Sequence, residues 1–274
     1  MSILAIGLFV YLGWATLLFI MQRSMMFPGK NLDLPALSAS QLPGGVESIR
    51  LPFFEGSAEA WFIGARENQA SPAVVFAHGN AELIGDGLRD ARSLTDLGVS
   101  VLLVEYPGYG RSDGDPSRRS IGEVFLAAYD WLAVHPDVDK AKIVGFGRSL
   151  GSGAITDLAG HRPLKALVLQ SPFISAGHFA RRHLLPGFLV RDRFNNLAAL
   201  GSFPGPVLLI HGTRDRIIPH THSERLARAS EQVQLVSLDC GHNDCPPNWA
   251  DYVLVIRDFL VRSAVLSAES RAAN

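Results

Sequence analysis

Apolar residues are arranged along this chain in three ways, and each predicts a different element. From Ile3 to Met21 the sequence ILAIGLFVYLGWATLLFIM runs 19 residues without a charge. A helix of that length extends about 28 Å at 1.5 Å per residue, close to the thickness of a hydrocarbon core. Tyr11 and Trp14 are its amphipathic aromatics, and Gln22-Arg23 gives it the polar end that a membrane boundary needs. The segment is apolar on every side rather than along one stripe, which reads as an anchor and not as a core helix. It is longer than the apolar region of a signal peptide and no A-x-A-like site follows, so an uncleaved anchor is expected. Residues 1–30 are therefore assigned to a single-pass transmembrane anchor and its juxtamembrane segment. Arg23 and Lys30 pull the body toward the cytoplasm, whereas anchors of this type often keep the N-terminus inside, so the side of the membrane stays open.

The second pattern is short and β-like. Ser48 to Phe54 and Glu59 to Ile63, separated by the turn signal Glu55-Gly56-Ser57, predict an opening hairpin. The third consists of continuous apolar runs at Ala73–Ala77, Val99–Val104, Ile143–Phe146, Ala166–Gln170, Val207–His211 and Gln234–Leu238, as in strands buried on both faces. Between them, Ile121–Val134, Gly151–Ala159, Ser223–Ala229 and Trp249–Val261 carry apolar residues at three- and four-residue spacing. Strand followed by helix, repeated, predicts an α/β domain over residues 31–264 with a mostly parallel eight-stranded sheet covered on both faces. The Ala- and Ser-rich end, 265–274, is expected to be a flexible tail.

Composition narrows the function. The 274 residues hold 25 Lys and Arg against 26 Asp and Glu, so no basic excess exists to neutralise a phosphate backbone, and nucleic acid is not an expected partner. With two cysteines, Cys240 and Cys245, the fold is not built on disulfides. In an oxidising compartment these two are placed to pair across a short loop; in a reducing one they remain small thiols.

In a mostly parallel sheet, ligands bind beyond the carboxyl ends of the strands, so the chemistry belongs in the loops that follow the apolar runs. One such loop holds Gly147-Arg148-Ser149-Leu150-Gly151, a G-x-S-x-G pentapeptide directly after a predicted strand and directly before a predicted helix. Glycines on either side permit a turn so tight that the Ser149 hydroxyl is presented to a substrate. The Leu150 amide, opening the helix, then points where a tetrahedral intermediate carries its negative oxygen. Taken alone the pentapeptide is a weak signal, because serine is also an ordinary helix N-cap. Two later loops strengthen it: Gly212-Thr213-Arg214-Asp215 and Cys240-Gly241-His242 both follow strands, giving the chain order Ser, Asp, His. A serine hydroxyl needs a neutral imidazole to take its proton, which His242 supplies, and a carboxylate to hold the ring, which Asp215 supplies. Asp239 and Asp244 are rivals by proximity, but both sit too close to His242 in the chain to reach behind its ring. A second oxyanion donor is expected in His78-Gly79-Asn80-Ala81-Glu82, from the amide of Asn80 or Ala81.

The remaining histidines have plainer explanations. His78 and His211 stand at strand ends, where they serve as hydrogen-bonding residues. His220 and His222 lack an acidic or cysteine partner at ligand spacing and read as surface imidazoles. Cys240, His242 and Cys245 make only three ligands, so no metal site and no cofactor are expected.

Taken in order, His78-Gly79-Asn80, Tyr106-Pro107-Gly108-Tyr109-Gly110-Arg111-Ser112, Gly147-Arg148-Ser149-Leu150-Gly151, Gly212-Thr213-Arg214-Asp215 and Gly241-His242 resemble the α/β-hydrolase superfamily of serine hydrolases. The N-terminal anchor with Gln22-Arg23 and Phe27-Pro28 adds a resemblance to its membrane-anchored members, a group that includes protein depalmitoylases and lysophospholipid lipases. The resemblance implies the α/β-hydrolase fold and cofactor-free cleavage of a carboxylic ester or thioester through an acyl-enzyme. It carries over to Ser149, Asp215, His242 and the amides of Asn80 or Ala81 and Leu150, with a small-molecule or lipid acyl group as substrate. An insertion at about 171–203 stands where such enzymes carry a cap, and its Phe, Leu and Arg suit an acyl chain near a membrane surface as well as they suit an ordinary lid. Glu82 departs from the glycine usual after H-G-N-A and gives the oxyanion loop a charge. A serine peptidase of the same fold and a catalytically silent tethered binding module are the alternatives. Oligomeric state is left open.

Overall fold

A computed structural model describes residues 2–32, 42–65 and 70–268. Eight strands, β1 (Glu47–Phe53), β2 (Gly56–Ile63), β3 (Ser71–Ala77), β4 (Ser100–Val104), β5 (Val138–Arg148), β6 (Ala166–Gln170), β7 (Val207–Gly212) and β8 (Val233–Leu238), form one sheet. Their spatial order is β1-β2-β4-β3-β5-β6-β7-β8. The β1–β2 pair is antiparallel, as the hairpin signal predicted, the β2–β4 pair is antiparallel as well, and every other pair is parallel.

Because side chains alternate along a strand, the sheet carries two cores. Ala73, Val75, Ala77, Leu102 and Val104 join the cluster covered by α3 (Arg118–Val134) and α4 (Leu150–Ala159). Val74, Phe76, Val101 and Leu103 join the opposite cluster, covered by α2 (Leu88–Asp96) and α8 (Trp249–Arg262). The helices start where their caps dictate: the Ser117 hydroxyl accepts from the Ser120 amide, and Asn248 accepts from the amides of Ala250 and Asp251. Along α3 the buried residues Ile121, Val124, Phe125, Ala128 and Leu132 keep the spacing of one helical face.

Three further helices complete the body. The short α5 (Ala176–Arg182) and α6 (Asn196–Ser202) lie in the insertion expected at 171–203, and α7 (Thr221–Ala227) precedes β8. Two expectations are revised. β8 is only half-buried, because it is an edge strand with a neighbour on one side only. Within the expected tail, Val265 and Leu266 are buried in the core beside α8, while residues 269–274 lie outside the described part of the chain.

At the other end, α1 (Ile3–Met26) is a 24-residue helix, long and apolar enough to cross a membrane, and Ala15 and Leu18 are its only buried residues. It lies along the insertion. The Tyr11 hydroxyl donates to the Leu184 carbonyl (3.1 Å), the Trp14 indole to the His183 carbonyl (3.0 Å), and the Gln22 amide to the Leu189 carbonyl (3.2 Å). Arg23 closes the contact with a forked pair of bonds to the buried Asp192 (2.9 and 3.3 Å), which also accepts from the Arg118 amide at the start of α3 (2.8 Å).

Candidate active site

Ser149 joins β5 to α4 and lies in the left-handed region, at φ 52° and ψ −113°. Two glycines make that turn possible by close approach. A Cβ on Gly147 would sit 2.4 Å from the Gly151 carbonyl oxygen, and one on Gly151 would sit 2.1 Å from that of Ala77. Backbone bonds fix the turn from both sides: the Ser149 amide donates to the Gln170 carbonyl of β6 (2.8 Å), and its carbonyl accepts from the Ser152 hydroxyl (2.6 Å). Ser152 in turn accepts from Asn196 of α6 (2.8 Å). The Ser149 side chain makes no capping bond to the helix it precedes, so the N-cap explanation fails. Its Oγ lies instead 3.1 Å from His242 Nε2.

His242 comes from the loop after β8, where Cys240 and Cys245 are joined by a disulfide. Its Nδ1 lies 2.6 Å from Oδ2 of Asp215, in the loop after β7. The other oxygen of Asp215 accepts from the amides of Ile217 (2.9 Å) and Ile218 (2.8 Å). Burial pushes this carboxyl up, but the bonds from His211, His242 and Ile218 outweigh it and hold Asp215 well below the usual carboxylate range. The rivals go elsewhere: Asp239 pairs with Arg214 at the surface, and Asp244 accepts from the Gly241 amide.

A cavity of about 290 Å³ opens beside Ser149. Asn80 and Leu150 line it, whereas Ala81 is exposed and outside its lining. Of the two candidate residues in the loop after β3, Asn80 is thus the one that borders the cavity. Its carbonyl is taken by the Gly29 amide (3.2 Å) and the Tyr109 hydroxyl (2.8 Å). Leu150 is the first residue of α4, whose opening N–H groups have no partners within the helix.

Several residues around the site escaped the sequence. Glu82 does not leave a free charge beside the oxyanion loop, since it accepts from the Gly79 amide (2.6 Å) and from Arg148 (3.0 and 2.8 Å). Arg148 also faces the buried Asp90 (3.5 Å), and Tyr252 bridges Asp90 and Gln170 (3.3 and 2.8 Å). Since Gln170 receives the Ser149 amide, a closed polar circuit runs under the Ser149 turn. His78 is the structural residue expected: its ring meets Glu105 (2.7 Å) and the Gly79 carbonyl (2.8 Å). Burial lowers its basicity, yet the Glu105 carboxylate more than offsets this and raises it. His211 has a larger part than expected, because its Nε2 lies 3.2 Å from Asp215 as well as 2.8 Å from the Ile218 carbonyl.

His222 is not a surface imidazole. Only 2% exposed, it accepts from the Ile174 amide (3.1 Å) and packs against His178 and Phe179 where the insertion begins. Burial, then the neighbouring His178, His211 and Arg182, push it down to about 4. His220 is half-buried and bonded to Ser237 (2.8 Å). Among the described residues, no group of three or more His, Cys, Asp or Glu is placed to hold a metal ion.

The chain has relatives of known family and fold. A family model described as serine aminopeptidase, S33, matches residues 68–192. An Arabidopsis thaliana protein named as the alpha/beta hydrolase domain-containing protein WAV2 is 30% identical, over 73% of this chain and 71% of its own. The chain belongs to the α/β-hydrolase superfamily. Within that superfamily, an uncharacterized Mycobacterium tuberculosis protein is 35% identical over 97% of this chain and 96% of its own. Among solved structures, the Pyrococcus furiosus esterase Pf2001 superimposes with TM-score 0.64 at 20% identity, covering 79% of this chain and 90% of that one. The Butyrivibrio proteoclasticus esterase Est1E, with ferulic acid bound, does so with TM-score 0.68 at 19% identity, covering 80% and 100%. At that identity the two structures are evidence for the fold alone.

Proposed function

We propose that this α/β hydrolase is a membrane-attached serine esterase or thioesterase acting on lipid-like acyl groups, with Ser149 as nucleophile, His242 as base and Asp215 as its orienting acid. The observation that carries the reading is the alignment Ser149 Oγ, His242 Nε2 at 3.1 Å, His242 Nδ1, Asp215 Oδ2 at 2.6 Å. In this scheme His242 takes the hydroxyl proton as Ser149 attacks the acyl carbon, and the amides of Leu150 and Asn80 stabilise the oxyanion. The imidazolium passes its proton to the departing alcohol or thiol, leaving an acyl-Ser149 ester. Water, deprotonated by the same ring, then releases the acid. Asp215 keeps its negative charge throughout, consistent with a carboxyl held well below the usual range.

The helix α1 supports attachment to a membrane, and the largely apolar cavity lining of Leu18, Met25, Phe173, Phe179 and Val190 supports an acyl chain. A fluorophosphonate probe is expected to label Ser149. Ser149→Ala is expected to abolish labelling and to lower ester turnover by about 10⁴-fold or more; undiminished turnover by this variant would sink the proposal. The family model's aminopeptidase description favours a second reading, a serine peptidase. Matched acyl ester and aminoacyl amide substrates separate the two.

A further inference from the structure

One face of α1 looks into the protein. Ala15, Leu18, Gln22 and Met25 follow at intervals of three and four residues, so they form a single stripe. The first two pack on Leu185 of the insertion in a small cluster apart from both sheet cores. The last three, with Met26, line the same cavity as Ser149, Asn80 and Leu150. On the opposite face Phe9 and Ile20 are exposed, at 77% and 67%. Gln22 brings no free polar group to this wall: its amide donates to the Phe19 and Leu189 carbonyls and accepts from the Arg191 amide. What α1 shows the cavity is therefore methyl, methylene and thioether surface.

The helix is also joined to the reacting end of the cavity. Phe27, just past its end, is buried in the core, and the Gly29 amide donates to the Asn80 carbonyl. A Cβ on Gly29 would lie 2.0 Å from the Tyr109 ring, so no side chain fits between the juxtamembrane segment and the residue that also holds Asn80. Only one residue, Met26, separates Phe27, in the core, from Met25, on the cavity wall.

We propose that the membrane helix is itself a wall of the acyl-binding pocket, and that Leu18 and Met25 set the length of acyl chain the enzyme accepts. This rests on the assignment of Ser149 as nucleophile and extends it to the substrate class: esters or thioesters of a single acyl chain. A cavity of about 290 Å³ lies at the small end for ligand sites, room for one chain rather than for a two-chain lipid. A peptide backbone would bring N–H and C=O groups against the α1 wall, where the polar atoms of Gln22 are already bonded. The α1 wall closes the cavity on the side of the element that meets the bilayer, so the same helix holds the enzyme on the membrane and measures the chain.

The test uses the full-length protein in detergent micelles with p-nitrophenyl butanoate and dodecanoate, read as the ratio of kcat/KM for the long ester to that for the short one. Leu18→Trp fills the cavity from the α1 side and is expected to lower this ratio by roughly tenfold or more. Met25→Trp is expected to lower it in the same direction; that side chain is 52% exposed, so the larger ring has room without disturbing the fold. Phe9→Trp, on the outer face, is expected to leave the ratio where it is. Labelling with a fluorophosphonate reports in each variant that the Ser149 site is assembled. Ratios within about twofold of wild type in the labelled Leu18 and Met25 variants would overturn the role of α1 while leaving the esterase assignment standing. A wild type that neither labels nor cleaves either ester would instead bring down the assignment of Ser149, and the chain-length role with it.

Discussion

Two regions face each other across the cavity and are held in different ways. On one side the Ser149 turn is locked into a parallel sheet by β6, by the close contacts of Gly147 and Gly151, and by the circuit of Glu82, Arg148, Asp90, Tyr252 and Gln170. On the other side the insertion and α1 are joined to each other by a cluster with three buried apolar residues, four bonds between side chain and backbone and the Arg23–Asp192 pair. Bonds that place reacting atoms need tolerances of a fraction of an ångström, and a sheet with two cores supplies them. The second region carries no such atoms, and it is a looser unit with exposed residues such as Leu184 and Phe188.

The contrast sharpens if damage to the first region removes chemistry, while damage to the second removes order near the insertion and spares the sheet. The largest effect is expected from Asp215→Asn, which leaves the ring without its anionic partner: kcat should fall by roughly 10³–10⁴, measured with a short-chain ester. A fall of less than tenfold would mean that the 2.6 Å contact has no catalytic part. Next comes Glu82→Gln, which takes away the charge facing Arg148. A loss of about 1–3 kcal/mol in unfolding free energy is expected, seen in urea denaturation together with a reduced kcat. Equal stability would break the idea that the polar circuit fixes the turn.

On the other side, Asp192→Ala releases both Arg23 and the first amide of α3, at a cost of about 2 kcal/mol for a half-buried pair. Its mark is faster protease cleavage within 183–193, with the unfolding of the sheet changed little; unchanged cleavage would argue against this joint. The smallest effect concerns pH. His222 is held neutral down to about 4, against an ordinary value of 6.5. Between those values the unfolded chain takes up a proton that the folded chain refuses, so stability falls as pH drops through that window, by on the order of 1 kcal/mol. Protonation would also cost the Ile174 amide its acceptor, so the loosening should appear first in hydrogen exchange at the start of the insertion. In His222→Gln the slope between those pH values should flatten, and an equally steep slope there would assign it to another group.

The sequence was most legible where chemistry follows from neighbours in the chain. The G-x-S-x-G turn, the sheet with its hairpin and the order Ser, Asp, His could all be located because strand periodicity and a glycine-framed turn are local properties. The choice of Asp215 over Asp239 and Asp244 needed only the argument of chain reach, and the structure puts Asp215 beside the ring. Less legible were groups whose meaning depends on distant partners. His222 looked like a surface residue because nothing in Pro219-His220-Thr221-His222 announces the Ile174 amide. Glu82 looked like a stray charge because Arg148 lies 66 positions away. Val265 and Leu266 looked like tail because the core beside α8 is assembled from residues far apart in the chain.

The chain alone therefore determined the α/β architecture, the apolar N-terminal helix and which three side chains could cooperate, since each depends on interactions within one strand, one helix or one turn. Only the tertiary structure decided what lies under the serine turn and which of Asn80 and Ala81 borders the cavity, and it brought α1 to that cavity. Those facts depend on which distant segments the sheet order and the insertion bring within a few ångströms, and no spacing along the chain records that.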